Sequence, residues 1–143
     1  MTITSDVYNK NCPSREVLNI ISNKWVILII EILAKQPLHF GELKRAIGGI
    51  SPKVLSQLLK MLEENGLLIR LCKEGNVLKV EYSLTHLGVS LSQICEQITD
   101  WAEKHIKDIV DARWKVKTNA DSLNSTRPSY NRMQTIPHND PTQ

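Results

Sequence analysis

Hydrophobic positions between residues 14 and 35 recur at the three- and four-residue steps that are typical of an amphipathic helix. The stripe predicts either one long helix or two abutting helices, with Ser22-Asn23 as the break between them. Pro37 ends the pattern, because proline cannot continue a helix and biases the preceding residue away from the helical conformation. The apolar positions are Val17, Leu18, Ile21, Trp25, Leu28, Ile29, Ile32 and Leu33.

A short helix and a tight corner are predicted next. Residues 40–47 place three apolar side chains on one helical face, at Phe40, Leu43 and Ile47. Gly48-Gly49 follows directly, and glycine tolerates the backbone conformations that a sharp turn requires. We therefore expect the chain to change direction before the next helix begins.

The helix after the corner has clear start and stop signals. Ser51 is predicted to be its N-cap, and Pro52 occupies the first helical position, where its missing N–H removes no hydrogen bond. Gly66 is predicted to end the helix at the C′ position. Helix 52–65 should bury one apolar face, formed by Leu55, Leu58, Leu59 and Leu62.

After Gly66 the hydrophobic period changes to two, which is typical of strands. Residues 67–72 and 78–84 predict two strands, and the second alternates apolar with polar side chains. The link 73–76 ends in Gly75-Asn76, a pair suited to a hairpin turn. The two strands are therefore predicted to form a β-hairpin.

Thr85 can cap a long C-terminal helix, which we expect to run from His86 to about Trp114. Its apolar stripe is nearly a coiled-coil seam and is longer than a small domain needs for its own core. From residue 115 the chain is polar, so 115–143 is predicted to be a disordered tail, and 1–11 a flexible N-terminal arm. The stripe consists of Leu87, Leu91, Ile94, Ile98, Trp101, His105 and Ile109.

The composition is that of an ordinary globular protein. The chain has 143 residues, of which 41% are hydrophobic but only seven are aromatic, so we expect one domain with a core of mostly Leu, Ile and Val. The longest apolar run, residues 25–30, is far shorter than the about 20 residues that cross a bilayer. The N-terminus lacks the apolar core of a signal peptide. Three cysteines without a CxxC pair predict a reducing, cytoplasmic location.

The charge distribution is more informative than the net charge. A total of +3 is too small to indicate a polyanionic partner by itself. Residues 35–60, however, carry one acidic side chain, Glu42, and a net charge of +4 from five cations. Those cations are Lys35, Lys44, Arg45, Lys53 and Lys60.

The order of these elements is that of a winged helix-turn-helix. We predict an α+β, mainly helical fold with a two-stranded wing and a long C-terminal dimerisation helix, in which residues 12–114 form the DNA-binding and dimerisation domain. The Lys, Ser and Gln side chains of helix 52–65 can reach phosphates and base edges. A solvated surface helix has the same polar face. The combination of the corner, the local basic charge and the hairpin favours contact with nucleic acid.

Short motifs between residues 12 and 105 carry a family resemblance. They are Cys12-Pro13, Lys24-Trp25, Phe40-Gly41-Glu42-Leu43 with Lys44-Arg45, Ile50-Ser51-Pro52-Lys53-Val54-Leu55, Leu62-Glu63 with Gly66-Leu67, Val80-Glu81-Tyr82-Ser83-Leu84-Thr85 with Gly88, and a late Trp101. In combination they resemble the HxlR-type winged-helix transcriptional regulators of bacteria. That family's wing commonly carries a Pro-rich turn, whereas this chain reads Lys73-Glu74-Gly75-Asn76-Val77.

The resemblance implies a transcriptional regulator, which we expect to be a repressor. It implies a homodimer held by the N-terminal and C-terminal helices, bound to a pseudo-palindromic operator in double-stranded DNA. Some relatives sense redox stress or electrophiles through a cysteine at the position of Cys12. The residues after 115 have no counterpart in the family pattern.

Helix 52–65 is predicted to enter the major groove. Gln57 is the best candidate for reading a base, because an amide can bond adenine in bidentate fashion, whereas the lysines are expected to bind phosphate. Further backbone contacts are expected from the preceding helix and from the wing. The predicted DNA-binding residues are His39, Lys44, Arg45, Ser51, Lys53, Ser56, Gln57, Lys60, Lys73 and Lys79.

Cys12 has two competing interpretations. A thiol just ahead of a helix start, with Lys10 and Arg15 nearby, can have a lowered pKa and react with oxidants or electrophiles. Alternatively, Cys12 is a small buried hydrophobe in the dimer seam. Cys95 is expected to lie in the core or to resolve Cys12 across the dimer, and Cys72 is expected to be packed within the wing.

Other functional classes have less support in the residues. A winged-helix protein–protein interaction module without specific DNA binding is the alternative that we keep. A small thiol enzyme is disfavoured, since the sequence has no CxxC, phosphate loop or nucleophile motif. The four histidines lack metal-ligand spacing, so neither a metal nor a cofactor is predicted. Trp25 and Trp101 are expected to be core or dimer-seam aromatics.

Overall fold

The computed structural model describes residues 5–73, 75 and 79–125. A first compact unit ends at Ala102, and a second begins at Glu103. Within the described residues there are five helices and three strands, in an order that matches the predicted winged helix-turn-helix. They are α1 (Pro13–Ile21), α2 (Lys24–Lys35), β1 (Leu38–His39), α3 (Phe40–Ala46), α4 (Pro52–Glu64), β2 (Leu68–Lys73), β3 (Lys79–Leu84) and α5 (His86–Ser125).

The first apolar stripe forms two helices rather than one. The break at Ser22-Asn23 is confirmed, and the axes of α1 and α2 differ by 73°. Asn23 starts α2, because its side-chain oxygen accepts a hydrogen bond from the backbone N–H of Trp25 at 2.9 Å. Among the described helices none is by itself both long and apolar enough to span a membrane. The bent pair α1–α2 passes that test of length and composition only when its two members are combined.

The corner between α3 and α4 is built as predicted. Gly49 adopts a φ of +86°, in the left-handed region that favours glycine. Ser51 caps α4, since its Oγ accepts the backbone N–H of Val54 at 3.2 Å. Gly66, with a φ of +71°, follows the end of α4 at Glu64. These local signals place the start and the end of α4 independently of its packing.

The sheet has one strand more than the two-stranded wing that we predicted. The order is β1-β3-β2, and both pairings are antiparallel. The hairpin of β2 and β3 is confirmed, but β1 was missed, because two residues show no periodicity and become a strand only by pairing with β3. The predicted turn at 73–76 falls largely outside the described residues.

The C-terminal helix is longer than predicted. Thr85 starts it, with its Oγ1 accepting the N–H of Gly88 at 3.1 Å and donating to the carbonyl of Gly66 at 2.6 Å. The predicted end at Trp114 is wrong, because α5 continues to Ser125. Residues 115–125 are polar but contain neither proline nor glycine, so nothing in them interrupts the backbone hydrogen bonds. The rest of the predicted tail, 126–143, lies outside the described residues.

The core of the first unit joins α2, α3, α4, the sheet and the first half of α5. The predicted inward leucines of α4 are all buried. Cys95 is buried among the aliphatic side chains, as expected, and Trp25 packs against them from the rim. Trp101 is 56% exposed and therefore is not a core residue of the described chain. The buried cluster consists of Val26, Ile29, Ile30, Leu33, Leu43, Ile47, Ile50, Leu55, Leu58, Leu59, Leu62, Leu67, Leu68 and Cys95.

Candidate nucleic-acid interface

Helix α4 presents one continuous polar face to solvent. Its leucines anchor the opposite face in the core, and its capped start determines where the first exposed turn lies. All five α4 residues that we predicted as DNA contacts are exposed on this face, namely Ser51, Lys53, Ser56, Gln57 and Lys60. The face therefore offers amide, hydroxyl and ammonium donors on a helix held rigidly by packing.

Two of these residues already have partners on α4. The Oγ of Ser51 accepts the N-cap hydrogen bond, so the hydroxyl can still donate one bond outward. The Nζ of Lys60 lies 3.9 Å from a carboxylate oxygen of Glu64, and both side chains are more than 60% exposed. Such a long, exposed ion pair constrains the lysine little.

A shallow groove of about 410 Å³ brings together predicted contacts from three elements. His39 at the end of β1, Arg45 on α3 and Lys79 at the start of β3 all line it. Lys44 is exposed on the same short helix but does not line the groove. The fold thus places a cation of α3 beside one at the start of β3, although about 35 residues separate them in the chain.

His39 is held by the protein itself. Its Nδ1 lies 2.8 Å from the carbonyl oxygen of Val80, so Nδ1 carries the proton and donates. Its backbone N–H donates to the Glu42 carboxylate at 2.7 Å. His39 therefore ties the start of α3 to β3, a structural role that the sequence pattern did not indicate.

Lys73 is also engaged within the protein. Its Nζ donates to Oε2 of Glu81 at 2.9 Å. We did not single out Glu81 from the sequence, because its alternation in β3 identified it only as a solvent-facing position. The exposed Arg70 of β2 is a further wing cation that was left out. The contact between Lys73 and Glu81 could not be predicted without the strand register.

The Cys12 thiol lies at the N-cap of α1 and is only 8% exposed. Its Sγ lies 2.9 Å from Oγ of Ser14 and accepts the backbone N–H of Asp6 at 3.2 Å. The Ser14 hydroxyl is the main cause that holds the pKa of Cys12 below its ordinary value, and the backbone N–H groups of Asp6 and Ser14 add to it. The lowering comes from hydrogen bonds, not from the predicted cations Lys10 and Arg15.

The other two cysteines differ from Cys12 in their surroundings. Burial, followed by the charge of Glu31, raises the pKa of the Cys95 thiol. Cys72 is exposed on β2, so our expectation that it is packed is wrong, because the hairpin extends beyond the core that covers Leu68. None of the three cysteines, all within the described residues, is in a disulfide.

No group of three or more His, Cys, Asp or Glu side chains in the described part of the chain is arranged to hold a metal ion. The polar side chains of α4, of α3 and of the start of β3 instead supply hydrogen-bond donors and positive charge on a common scaffold. That combination suits contact with phosphates and base edges.

Comparison with known proteins gives the family. The model of the HxlR-like helix-turn-helix family matches residues 20–116. The HTH-type transcriptional regulator YtfH of Escherichia coli strain K12 is 37% identical over 108 residues, which cover 76% of this chain and 86% of YtfH. The structure of the ytfH regulator of Salmonella typhimurium has 35% identity and a TM-score of 0.72, and the match covers 77% of this chain and 98% of that one.

A redox-related structure also matches. The reduced form of the transcriptional regulator YodB of Bacillus subtilis has 32% identity and a TM-score of 0.57, with 65% of this chain and 92% of YodB covered. YodB has also been solved after diamide treatment and with bound quinone. The chain therefore belongs to the HxlR-like helix-turn-helix family and is a DNA-binding transcriptional regulator.

Proposed function

We propose that the protein is a homodimeric repressor that places α4 in the major groove of a pseudo-palindromic operator. The observation that carries the proposal is the exposed polar face of α4, which is fixed by a buried leucine face and a capped start. An α-helix fits the major groove, where each base pair presents a distinct pattern of donors and acceptors. A dimer on an operator at a promoter represses by excluding polymerase from the same DNA.

The contacts divide by chemistry into base reading and phosphate binding. Gln57 is assigned to a base edge, because its exposed amide offers both a donor and an acceptor. The phosphate contacts are assigned to the lysines of α4, to Lys44 and Arg45 of α3, and to Lys79 at the start of β3. Ser51 and Ser56 are assigned to either a base edge or a phosphate. His39 is assigned to the DNA backbone, together with Lys44 and Arg45, and its ring is oriented by the carbonyl of Val80.

Exposed apolar side chains support the homodimer. Val17 and Leu18 of α1, and Ile94, Ile98 and Trp101 of α5, are each exposed by about half or more. Large apolar side chains at one surface mark a protein interface, and a two-fold axis places the same surface of each copy in contact. A two-fold dimer also matches the two half-sites of a palindromic operator.

Cys12 is proposed as the switch of DNA binding. Hydrogen bonds lower the pKa of its thiol, which increases the fraction present as the reactive thiolate. Modification adds volume to a side chain that is almost fully buried, and so displaces the segment around Asp6 and the start of α1. Cys95 is poorly suited to resolve Cys12, because its thiol is buried and its pKa is raised.

The test is a gel-shift titration with the DNA upstream of the protein's own gene, at two salt concentrations. Binding should weaken steeply as salt rises, because each lysine that contacts a phosphate displaces a condensed counterion. Diamide or a quinone should release the DNA from the wild-type protein but not from Cys12→Ser. Absence of salt-dependent binding would contradict the DNA-binding assignment, and an unchanged response in Cys12→Ser would contradict the switch.

A further inference from the structure

The turn end of the β2–β3 hairpin holds a charge arrangement that the assigned DNA contacts do not explain. Lys73 lies opposite Lys79, and Leu71 lies opposite Glu81. Residues that are opposite or two apart share one face of a sheet, so both lysines and the carboxylate are on the same face. Two lysines in direct opposition repel each other, and Glu81 is the acidic group on that face that Lys73 contacts.

The contact between Lys73 and Glu81 is strong for a surface pair. The Nζ–Oε2 distance is 2.9 Å, and the Glu81 side chain is 17% exposed, whereas that of Lys73 is 63% exposed. Glu81 is covered because β3 is the central strand, with His39 of β1 opposite it on one side and Leu71 of β2 on the other. A charge-assisted hydrogen bond to a largely buried carboxylate is screened by salt less than an exposed ion pair.

We infer that Glu81 occupies Lys73 as an internal substitute for a DNA phosphate, and thereby limits the sequence-independent affinity of the wing for DNA. The inference rests on the proposed function, because it takes Lys73, which we predicted from the sequence as a DNA contact of the wing, to come within reach of the DNA backbone. A phosphate that approaches Lys73 must compete with a carboxylate already in place. The wing therefore contributes less to binding than its lysines suggest.

The consequence concerns the part of the affinity that does not depend on sequence. Phosphate contacts carry no base information and strengthen binding to every sequence. By withholding one such contact, Glu81 keeps binding to random DNA weak. The protein then depends more on the base contacts of α4 for its affinity. Glu81 therefore acts through Lys73 to lower the affinity for DNA of any sequence, by about the same factor for operator and random duplexes.

The experiment measures fluorescence anisotropy of labelled operator and random-sequence duplexes over a series of salt concentrations. In Glu81→Gln, affinity for both duplexes should rise about 3- to 10-fold near about 0.1 M salt, and the salt slope should steepen by about 1, because Lys73 gains a phosphate. Glu64→Gln is the matched control. It removes the same charge from a 3.9 Å, exposed pair with Lys60, and should change affinity by less than about 2-fold.

A double-mutant cycle with Lys73→Gln separates the possible causes. If Glu81 acts through Lys73, the gain of Glu81→Gln disappears in the Lys73→Gln background. A gain that persists there would mean that Glu81 repels the DNA directly, and would overturn the inference. So would an unchanged affinity of Glu81→Gln when the wild-type protein binds DNA. Absence of wild-type binding at any salt concentration would overturn the proposed function and this inference together.

Thermal unfolding of each variant shows whether it still folds. Glutamine is nearly isosteric with glutamate and can still accept from Lys73 as a neutral group, so the sheet should remain intact. If Glu81→Gln does not fold, Glu81→Thr provides a second neutral side chain, and one that suits a strand. The same gain and the same dependence on Lys73 are expected of it, and their absence overturns the inference.

Discussion

Gln57 and Lys53 are neighbours on the exposed face of α4, and their chemistry predicts different effects on DNA binding. Gln57→Ala should lower affinity for the operator by about 1–3 kcal/mol, because one bidentate base contact is lost, and should leave affinity for random DNA unchanged. Lys53→Gln should weaken binding to both and reduce the salt slope by about 1. Titration of both variants against operator and random duplexes checks this, and an equal loss on both DNAs in Gln57→Ala would exclude base reading.

Ser14 lies 2.9 Å from the Cys12 thiol and is the main cause that lowers its pKa. The Ser14 hydroxyl donates to the thiolate and stabilises the charged form, so Ser14→Ala should raise the pKa of Cys12 towards its ordinary value. At a pH below that value, less thiolate is then present, and alkylation of Cys12 should be slower than in wild type. The rate of iodoacetamide modification as a function of pH measures this. A Cys72→Ser background removes the signal of the exposed thiol. A pH midpoint that does not rise would contradict the role of Ser14.

Gly88 allows the first turn of α5 to lie close to Leu67 and Leu84. It lies in the first turn of α5, and a Cβ at this position would collide with the carbonyl oxygen of Leu67 and approach Cδ2 of Leu84 to 3.1 Å. Gly88→Ala should therefore destabilise the fold by about 1–3 kcal/mol, because backbone must move to accommodate the methyl group. Gly48→Ala is the control, since a Cβ there meets nothing within 4 Å. Urea unfolding of both variants tests the difference, and equal stabilities would contradict the contact.

The proposed homodimer concerns the whole molecule, and its proposed seam lies on an exposed stripe of α5. Ile98 is about half exposed and lies outside the buried core, so Ile98→Asp should leave the fold of each copy intact while placing a charge in the seam. Sedimentation equilibrium should show more monomer, and operator affinity should fall because both half-sites are no longer bound together. Gln93→Asp adds the same charge at an exposed polar position of α5 and should remain dimeric. A dimeric Ile98→Asp would contradict this seam.

The second unit, within α5, also exposes apolar side chains. Ile106, Val110, Trp114 and Val116 are each more than half exposed. From the sequence we expected the apolar stripe to stop at Ile109 and the helix at Trp114. The helix continues because no proline or glycine ends it, and helical propensity does not require a buried face. The division into a domain at 12–114 and a tail at 115–143 stays a prediction. Residues 115–125, which we expected to be disordered, are helical.

The sequence by itself determined the helices, the corner and the hairpin, because their signals are local. The Ser51 cap, the glycines at 49 and 66 and the leucine spacing of α4 act within a few residues, so the pattern places them correctly. The exposed face of α4, which carries the candidate base contact, follows from the same spacing.

Only the tertiary structure decided which distant residues meet. Strand β1 exists through its pairing with β3, and the bond of His39 to Val80 joins residues 41 positions apart. The partnership of Lys73 with Glu81 depends on a strand register that a shift of one residue would abolish. Strand register and contact between distant elements arise from three-dimensional packing, which the hydrophobic period along the chain does not reveal.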